Sequence, residues 1–376
     1  MKIAFIIPTF YPKIGGAQNN CYYLAKELKK KHDVSVFCSG EEDKEELIEG
    51  IKVYRCKEIF RYKYYVAFYP SLKRVLNEKF DIIHIHGLGF IQQDLVIRNI
   101  KKYHPQTKIV CTPHGPFMAL KYGFAGKMFK KIYTLMVRKI VNRCDVVIQV
   151  NPLQYKWMKK EYGIENNKIK LLPNGIPESL FKQIDEKEIE RIKNKYNLQN
   201  KFIISYVGRI QEYKGLDQII KVLPKLKNDV VFVAIGKDAG DEERLKGLAK
   251  DLGVEKRVFF TGFINEKEKL GLLELSKIFI FPSEWEAFGI SVLEAMAKGN
   301  AIISTKTEGG RYLIGKDNGS LFDYGNAKEL EEELKDLVSS NNKRKRMSKN
   351  NIEKAKRFKW EKIAGNLEKI YLGLLE

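Results

Sequence analysis

Short apolar runs rich in β-branched residues alternate along this chain with longer amphipathic stretches, and few folds accommodate that rhythm. A strand with no polar face must be covered on both sides. The cover comes from helices that carry the chain back to start the next parallel strand. The spacing predicts strands at 3–7, 34–37, 82–85, 109–111, 146–150 and 169–172, then a second series at 202–207, 230–235, 258–260, 278–281 and 301–304. The break Leu172-Pro-Asn-Gly-Ile-Pro177 and a charged helical stretch to Gln199 separate the two series. The expected fold class is α/β, with two doubly wound, Rossmann-like domains facing a central cleft, at residues 1–178 and 179–359. A length of 376 residues is enough for two such domains.

Composition narrows the class of protein. No window approaches the roughly 18 consecutive apolar residues of a spanning helix. The opening Met1-Lys-Ile-Ala-Phe-Ile-Ile-Pro8 has a short apolar run without a small-residue cleavage site, so it reads as a first strand and not a signal peptide. Cys21, Cys38, Cys56, Cys111 and Cys144 are odd in number and widely spaced, which disfavours disulfides and zinc and fits a reducing cytoplasm. Charge is uneven: residues 1–175 carry 31 Lys and Arg against 15 Asp and Glu, while the remainder carries 37 against 32. Such a field favours an anionic partner near the first half. Nucleic acid is not expected, since no recognisable binding module accompanies the charge.

The unusual residues stand where strands end. Gly15-Gly16 follows the first strand, and His86-Gly87, His114-Gly115, Asn174-Gly175, Gly208-Arg209, Gly236, Gly262, Pro282-Ser283 and Thr305 follow others. In open α/β sheets ligands bind beyond these carboxyl ends. Taken singly, each glycine is an ordinary turn, and Arg209 or Lys214 an ordinary surface cation. Of His84 and His86, one is expected to face the core in a structural role. The densest signal is Pro282-Ser-Glu-Trp-Glu-Ala-Phe-Gly-Ile-Ser-Val-Leu-Glu294, a strand end, a tight loop and a helix start. A helix start leaves unpaired N–H groups that receive an anion. Glu286 in the loop and Glu294 about one turn into the helix add carboxylates that accept hydroxyl hydrogens. Phosphate amides flanked by carboxylates suit a nucleotide sugar.

In this order and spacing the residues resemble the retaining, metal-independent GT-B glycosyltransferases, of the group 1 and family 4 kind. Val207-Gly-Arg209, Lys214-Gly215, Gly236, Thr261-Gly-Phe263, Glu286-Ala-Phe-Gly289, Glu294-Ala-Met-Ala297 and Gly309-Gly310 carry the likeness, which spans nearly the whole chain. The resemblance implies a GT-B fold whose last helix, about 360–376 with Trp360 and Tyr371, packs back on the first domain. It implies that Arg209 and Lys214 clamp the diphosphate of a sugar donor, and that Gly16, Phe288, Gly289 and Ile290 present backbone to the same donor. Glu294 would hold the ribose hydroxyls. Glu286 would hold hydroxyls of the transferred sugar and His114 would meet the donor sugar or the acceptor hydroxyl, which makes these two the catalytic candidates. A leaving diphosphate gains negative charge, which two cations offset where no metal does. No Asp-x-Asp occurs, so no metal and no further cofactor are expected beyond a UDP-sugar or GDP-sugar. Thr307-Glu-Gly-Gly310 departs from the pattern by placing Glu308 and Arg311 where small or polar residues are usual.

Between Asp94 and Asp145 stand eleven basic residues and no acidic one. Residues 116–143 interleave these with Phe117, Met118, Tyr122, Met128, Ile132, Leu135 and Met136, while Lys127, Lys131 and Arg138 share another helical face. That pattern fits a basic amphipathic helix lying on an anionic membrane, and equally a domain-packing helix with a solvated cationic side. The expected activity is transfer of a hexose or N-acetylhexosamine to a lipid, lipid-linked or saccharide acceptor, in cell-envelope polysaccharide or glycolipid synthesis. The expected location is the cytoplasm, peripheral on the inner face of the cell membrane. Two rivals share the fold: an epimerase acting on the free nucleotide sugar, and a non-catalytic partner subunit.

Overall fold

A computed structural model describes residues 1–13, 15–62, 66–88, 90–114 and 124–376. The chain divides into two compact units, residues 1–175 with 360–376, and residues 176–359.

The first unit is built on a sheet of β1 (Lys2–Ile6), β2 (Asp33–Gly40), β3 (Lys44–Ile48), β4 (Ile51–Lys57), β7 (Ile82–His86), β8 (Lys108–Thr112), β9 (Val146–Gln149) and β10 (Ile169–Leu171). A small hairpin, β5 (Phe60–Tyr62) and β6 (Val66–Phe68), stands apart. The strand order is β10-β9-β8-β7-β1-β2-β4-β3, parallel except for the edge strand β3. Neither β3 nor β4 follows from the apolar-run pattern. The sequence Lys44-Glu-Glu-Leu-Ile48 is too charged to read as a buried strand, and it can be so because it lies on the edge. Glu49 and Gly50, both with positive φ (47° and 75°), form the two-residue hairpin turn that sets the pair.

Alternation along β1 splits its side chains between two cores. Ala4 and Ile6 join Ile83, Ile85, Ile97, Val137 and Val147 on one face. Ile3 and Phe5 join Leu24, Val36, Val110 and Ile363 on the other. Helices α1 (Gly16–Leu28), α2 (Ile91–Tyr103), α3 (Phe124–Val141) and α4 (Gln154–Tyr162) supply the cover. So does the last helix, Trp360–Leu375, which buries Trp360, Ile363, Ala364, Leu367 and Tyr371, one stripe at helical spacing, on the second of those cores. Trp360 stacks on Tyr23 at 5.4 Å. Each large side chain in such a stripe contributes about 1.5–3 kcal/mol. All five cysteines are buried and free.

The second unit is a six-stranded parallel sheet in the order β13-β12-β11-β14-β15-β16, formed by β11 (Phe202–Val207), β12 (Val230–Ile235), β13 (Val258–Phe260), β14 (Ile278–Phe281), β15 (Ala301–Thr305) and β16 (Gly319–Phe322). Strand β16 escapes the sequence pattern because Gly319-Ser-Leu-Phe322 has little apolar weight of its own. Its cover includes α5 (Glu186–Tyr196), α6 (Leu216–Val222), α7 (Glu242–Asp251), α8 (Glu266–Leu275) and α9 (Ile290–Ala297). In each sheet the order reverses beside the first strand, at β1/β7 and at β11/β14. Those two switch points are where the carboxyl ends of the strands leave room for a ligand.

Candidate functional site

At the second unit's switch point, β11 ends in Gly208-Arg209 and the chain makes a single helical turn, Glu212–Lys214, before α6. The strand ends press together here: a Cβ on Gly236, at the end of β12, would collide with the Gly208 carbonyl. Lys214 is buried, and its Nζ lies 2.9 Å from Glu286 Oε2. It also sits over the Tyr213 ring at 4.6 Å and the Phe281 ring at 5.6 Å, close enough for cation–π attraction. Arg209 is exposed and donates through Nη2 to the Tyr213 hydroxyl at 3.3 Å, so the two cations share one tyrosine.

Glu286 lies in the loop after β14. The loop is pinned from below: Gln218 donates to the Pro282 carbonyl (3.0 Å), Thr305 to the Ser283 carbonyl (2.6 Å), and the Gly309 amide to the Glu286 carbonyl (3.0 Å). A Cβ on Gly309 would strike the Phe288 carbonyl, which explains a glycine beside this loop. Phe288 turns its ring into the core, 6.0 Å from Tyr312 and 6.2 Å from Phe358, so only its backbone is left for a ligand. Gly289, in the left-handed region at φ 91°, caps α9, and Ile290 opens the helix. The Val292 amide already donates to the Gly289 carbonyl at 3.0 Å, so the amides of Ile290 and Ser291 are those of the first turn outside the helix's own ladder.

Glu294, one turn into α9, pairs with a cation that the motif does not announce. Its Oε1 lies 2.9 Å from Lys269 Nζ on α8, and Lys269 also reaches Glu266 at 3.0 Å. The Lys269 and Glu294 side chains are only 16% and 14% exposed. Burial raises the Glu294 carboxyl above its ordinary range, with Lys269 opposing that shift. In the sequence, Asn265-Glu-Lys-Glu-Lys269 reads as a solvated helix start, and nothing in it marks the fifth residue as buried. Glu286 and Glu294 therefore answer to different cations, Lys214 and Lys269.

The first unit gathers a different chemistry. Gly16 is the first residue of α1, behind an extended Gly15, and is exposed. His84 and His86, two residues apart on β7, point the same way, and both are buried. The expectation that only one faces inward is corrected by that alternation. His84 Nδ1 lies 2.6 Å from Tyr371 Oη and its Nε2 lies 2.7 Å from Thr112 Oγ1. His86 Nδ1 lies 3.0 Å from His114 Nε2, and the two rings stack at 5.2 Å. His114 itself has φ 54°, unusual for a residue with a side chain. Burial holds all three imidazoles below the usual histidine range, to about 3 for His84 and about 4 for His114. All three are neutral near pH 7. Beyond β1, β2 and β4 the same unit opens into a recess of about 540 Å³ whose walls include Thr9, Lys13, Ser39, Arg55 and Glu58.

Helix α3 turns Val137 and Val141 into the core and leaves Met128, Ile132, Leu135 and Met136 on the surface, each more than half exposed. Lys131, Arg138 and Lys139 are exposed beside them. Phe117, Met118 and Tyr122, and the side chains of Lys127 and Lys130, lie outside the described residues. Among the described residues no helix is long and apolar enough to cross a membrane.

Comparison with known proteins follows the same division. Residues 14–180 match the family model of Glycosyltransferase Family 4, and residues 188–354 that of Glycosyl transferases group 1. An uncharacterized glycosyltransferase of Methanocaldococcus jannaschii is 26% identical over 98% of this chain and 98% of its own. Among solved structures, sucrose-phosphate synthase of Thermosynechococcus elongatus superposes with a TM-score of 0.80 at 21% identity, covering 99% of this chain and 98% of that one. HepE of Anabaena, solved with UDP and glucose, gives 0.78 at 20% identity, covering 99% and 100%. The architecture is GT-B. The chain is a glycosyltransferase.

Proposed function

We propose that this glycosyltransferase moves a hexose or N-acetylhexosamine from a UDP-sugar or GDP-sugar, with retention of anomeric configuration and without a divalent metal. The observation that carries the reading is the buried Lys214 beside Glu286, with Arg209 on the same tyrosine and the first turn of α9 close by in sequence. A diphosphate entering here exchanges a lysine–carboxylate pair for a lysine–phosphate contact, gains Arg209, and takes the amides of Ile290 and Ser291 at the start of α9. Its charge grows as the sugar bond breaks, so these contacts strengthen along the reaction and lower the barrier. Glu286, released from Lys214, accepts hydrogen bonds from the sugar. His114 contributes a neutral imidazole. Glu294 receives the ribose hydroxyls. That HepE was solved with UDP and glucose supports a nucleotide-sugar donor.

For the acceptor, the surface stripe of α3 supports a lipid or lipid-linked molecule presented at an anionic membrane, and the recess beside β1 supports a saccharide. Thermal shifts with UDP, GDP, ADP and dTDP test the donor: one diphosphate stabilises the protein strongly by mass action. With that donor, product anomers read by NMR test retention, and a rate unchanged by EDTA tests metal independence. Activity that vanishes in EDTA and returns only with magnesium or manganese overturns the metal-free mechanism.

A further inference from the structure

We propose that Lys269 is a positioning residue that keeps Glu294 ionised and turns its free oxygen toward the ribose. The proposal rests on the ribose reading of Glu294 for its ligand, but its electrostatic half stands on the unliganded protein alone. Lys269 projects from α8 and Glu294 from α9, and their charged ends meet at 2.9 Å where both side chains are largely buried. A carboxylate taken out of water without a counter-charge regains its proton. Glu266, the other charged group facing Lys269, is itself negative and 63% exposed, so it cannot take the lysine's place. Lys269 is thus the group that opposes neutralisation of Glu294.

Ionisation matters for recognition. A ribose diol offers two hydroxyl hydrogens, and a carboxylate accepts both, whereas a protonated carboxyl gives up part of its acceptor capacity and adds a donor. Lys269 holds Oε1 and leaves Oε2 uncommitted to it. The same contact fixes the rotation of the carboxylate before nucleotide arrives, so less order is lost on binding.

The test compares wild type, Lys269→Met, Lys269→Arg and Lys269→Met/Glu294→Gln. Without nucleotide, thermal unfolding is followed from pH 5.5 to 8.5. In Lys269→Met the folded-state carboxyl lies well above its unfolded value, so stability is present at low pH and lost as pH rises. Its Tm is expected to fall across that range relative to wild type, while the double variant stays parallel to wild type and Lys269→Arg behaves as wild type. With UDP, GDP, ADP or dTDP, whichever stabilises wild type, the affinity of Lys269→Met is expected to change in the opposite sense. It is about tenfold weaker than wild type at pH 6 and recovers as pH rises. Lys269→Met curves parallel to wild type in both experiments overturn the proposal. A wild type that none of the four diphosphates stabilises overturns the nucleotide reading instead, and the unfolding series still decides the charge-keeping role.

Discussion

The two units use one topological device and fill it with opposite chemistries. Both place their special residues at a switch point beyond parallel strands. In the second unit the residues there are ions already paired: Lys214 with Glu286, and Lys269 with Glu294. In the first they are neutral rings joined by hydrogen bonds, from Tyr371 through His84, and from His86 to His114. Ion pairs can be exchanged for a charged ligand at little net change in charge. Neutral rings hold a shape and resist protonation. The contrast is one of charge: one switch point holds paired ions, the other neutral rings.

The two units differ most sharply at Lys214. Lys214→Ala removes a buried cation from the proposed diphosphate site and strands Glu286, so turnover with the cognate sugar donor should fall by about 10²–10³-fold. His86→Phe in the first unit should leave diphosphate affinity unchanged, because no ionic partner is lost. Calorimetry on both variants checks the difference, and equal losses of affinity would erase the distinction between the units.

The carboxylates offer the next largest effect. Glu294→Ala should weaken binding of the free diphosphate by roughly 1–3 kcal/mol, the range for leaving a buried donor or acceptor without its partner. Glu286→Ala should act mainly on turnover, since the reaction changes the sugar more than the ribose. Measured Kd and kcat for the two variants sort them, and equal changes in Kd would remove the separate roles.

Acid should find the first unit. A buried imidazole with a depressed folded pKa contributes stability that is complete above the unfolded value near 6.5 and is lost as pH falls toward the folded value. For His84, held down to about 3, the unfolded chain gains roughly 2 kcal/mol by pH 5. Urea midpoints at pH 7.5, 6 and 5 should decline in wild type and decline less in His84→Phe, whose lower starting stability is the control.

The smallest effect concerns the surface of α3. Each basic residue near an anionic bilayer is worth about 1 kcal/mol, screened within a Debye length, and exposed Met128, Ile132, Leu135 and Met136 add a part that salt does not remove. Co-sedimentation with phosphatidylserine vesicles should exceed that with phosphatidylcholine, and Lys131→Glu with Lys139→Glu should reduce it. Equal partitioning onto both vesicle types favours a soluble acceptor.

Much of this was legible in the chain. Eleven apolar runs became strands of two parallel sheets, because strands buried on both faces are written in β-branched residues. What stayed hidden is instructive. Strands β3 and β4 are an edge hairpin, whose charge disguises it as loop. Lys269 looks solvated until α8 is packed beside α9. Tyr371 is 287 residues from the His84 it touches, and Thr112 is 28 residues away, so no local spacing announces either contact. Charged residues in motifs declare themselves; neutral partners brought together by topology do not.

The final helix carries a consequence for how the molecule comes into being. Residues 360–375 complete a core whose other members lie within the first 172 residues, and Tyr371 closes the hydrogen bonds of His84 on β7. On the ribosome that helix is made only after the whole second unit. The nascent first unit must therefore wait, without the Trp360–Tyr23 stack and the Tyr371–His84 hydrogen bond, while about 184 further residues are synthesised. At roughly 5–20 residues per second the delay is on the order of ten to forty seconds. During that interval the second unit can fold alone, and the first cannot finish. The order of assembly thus runs against the order of synthesis.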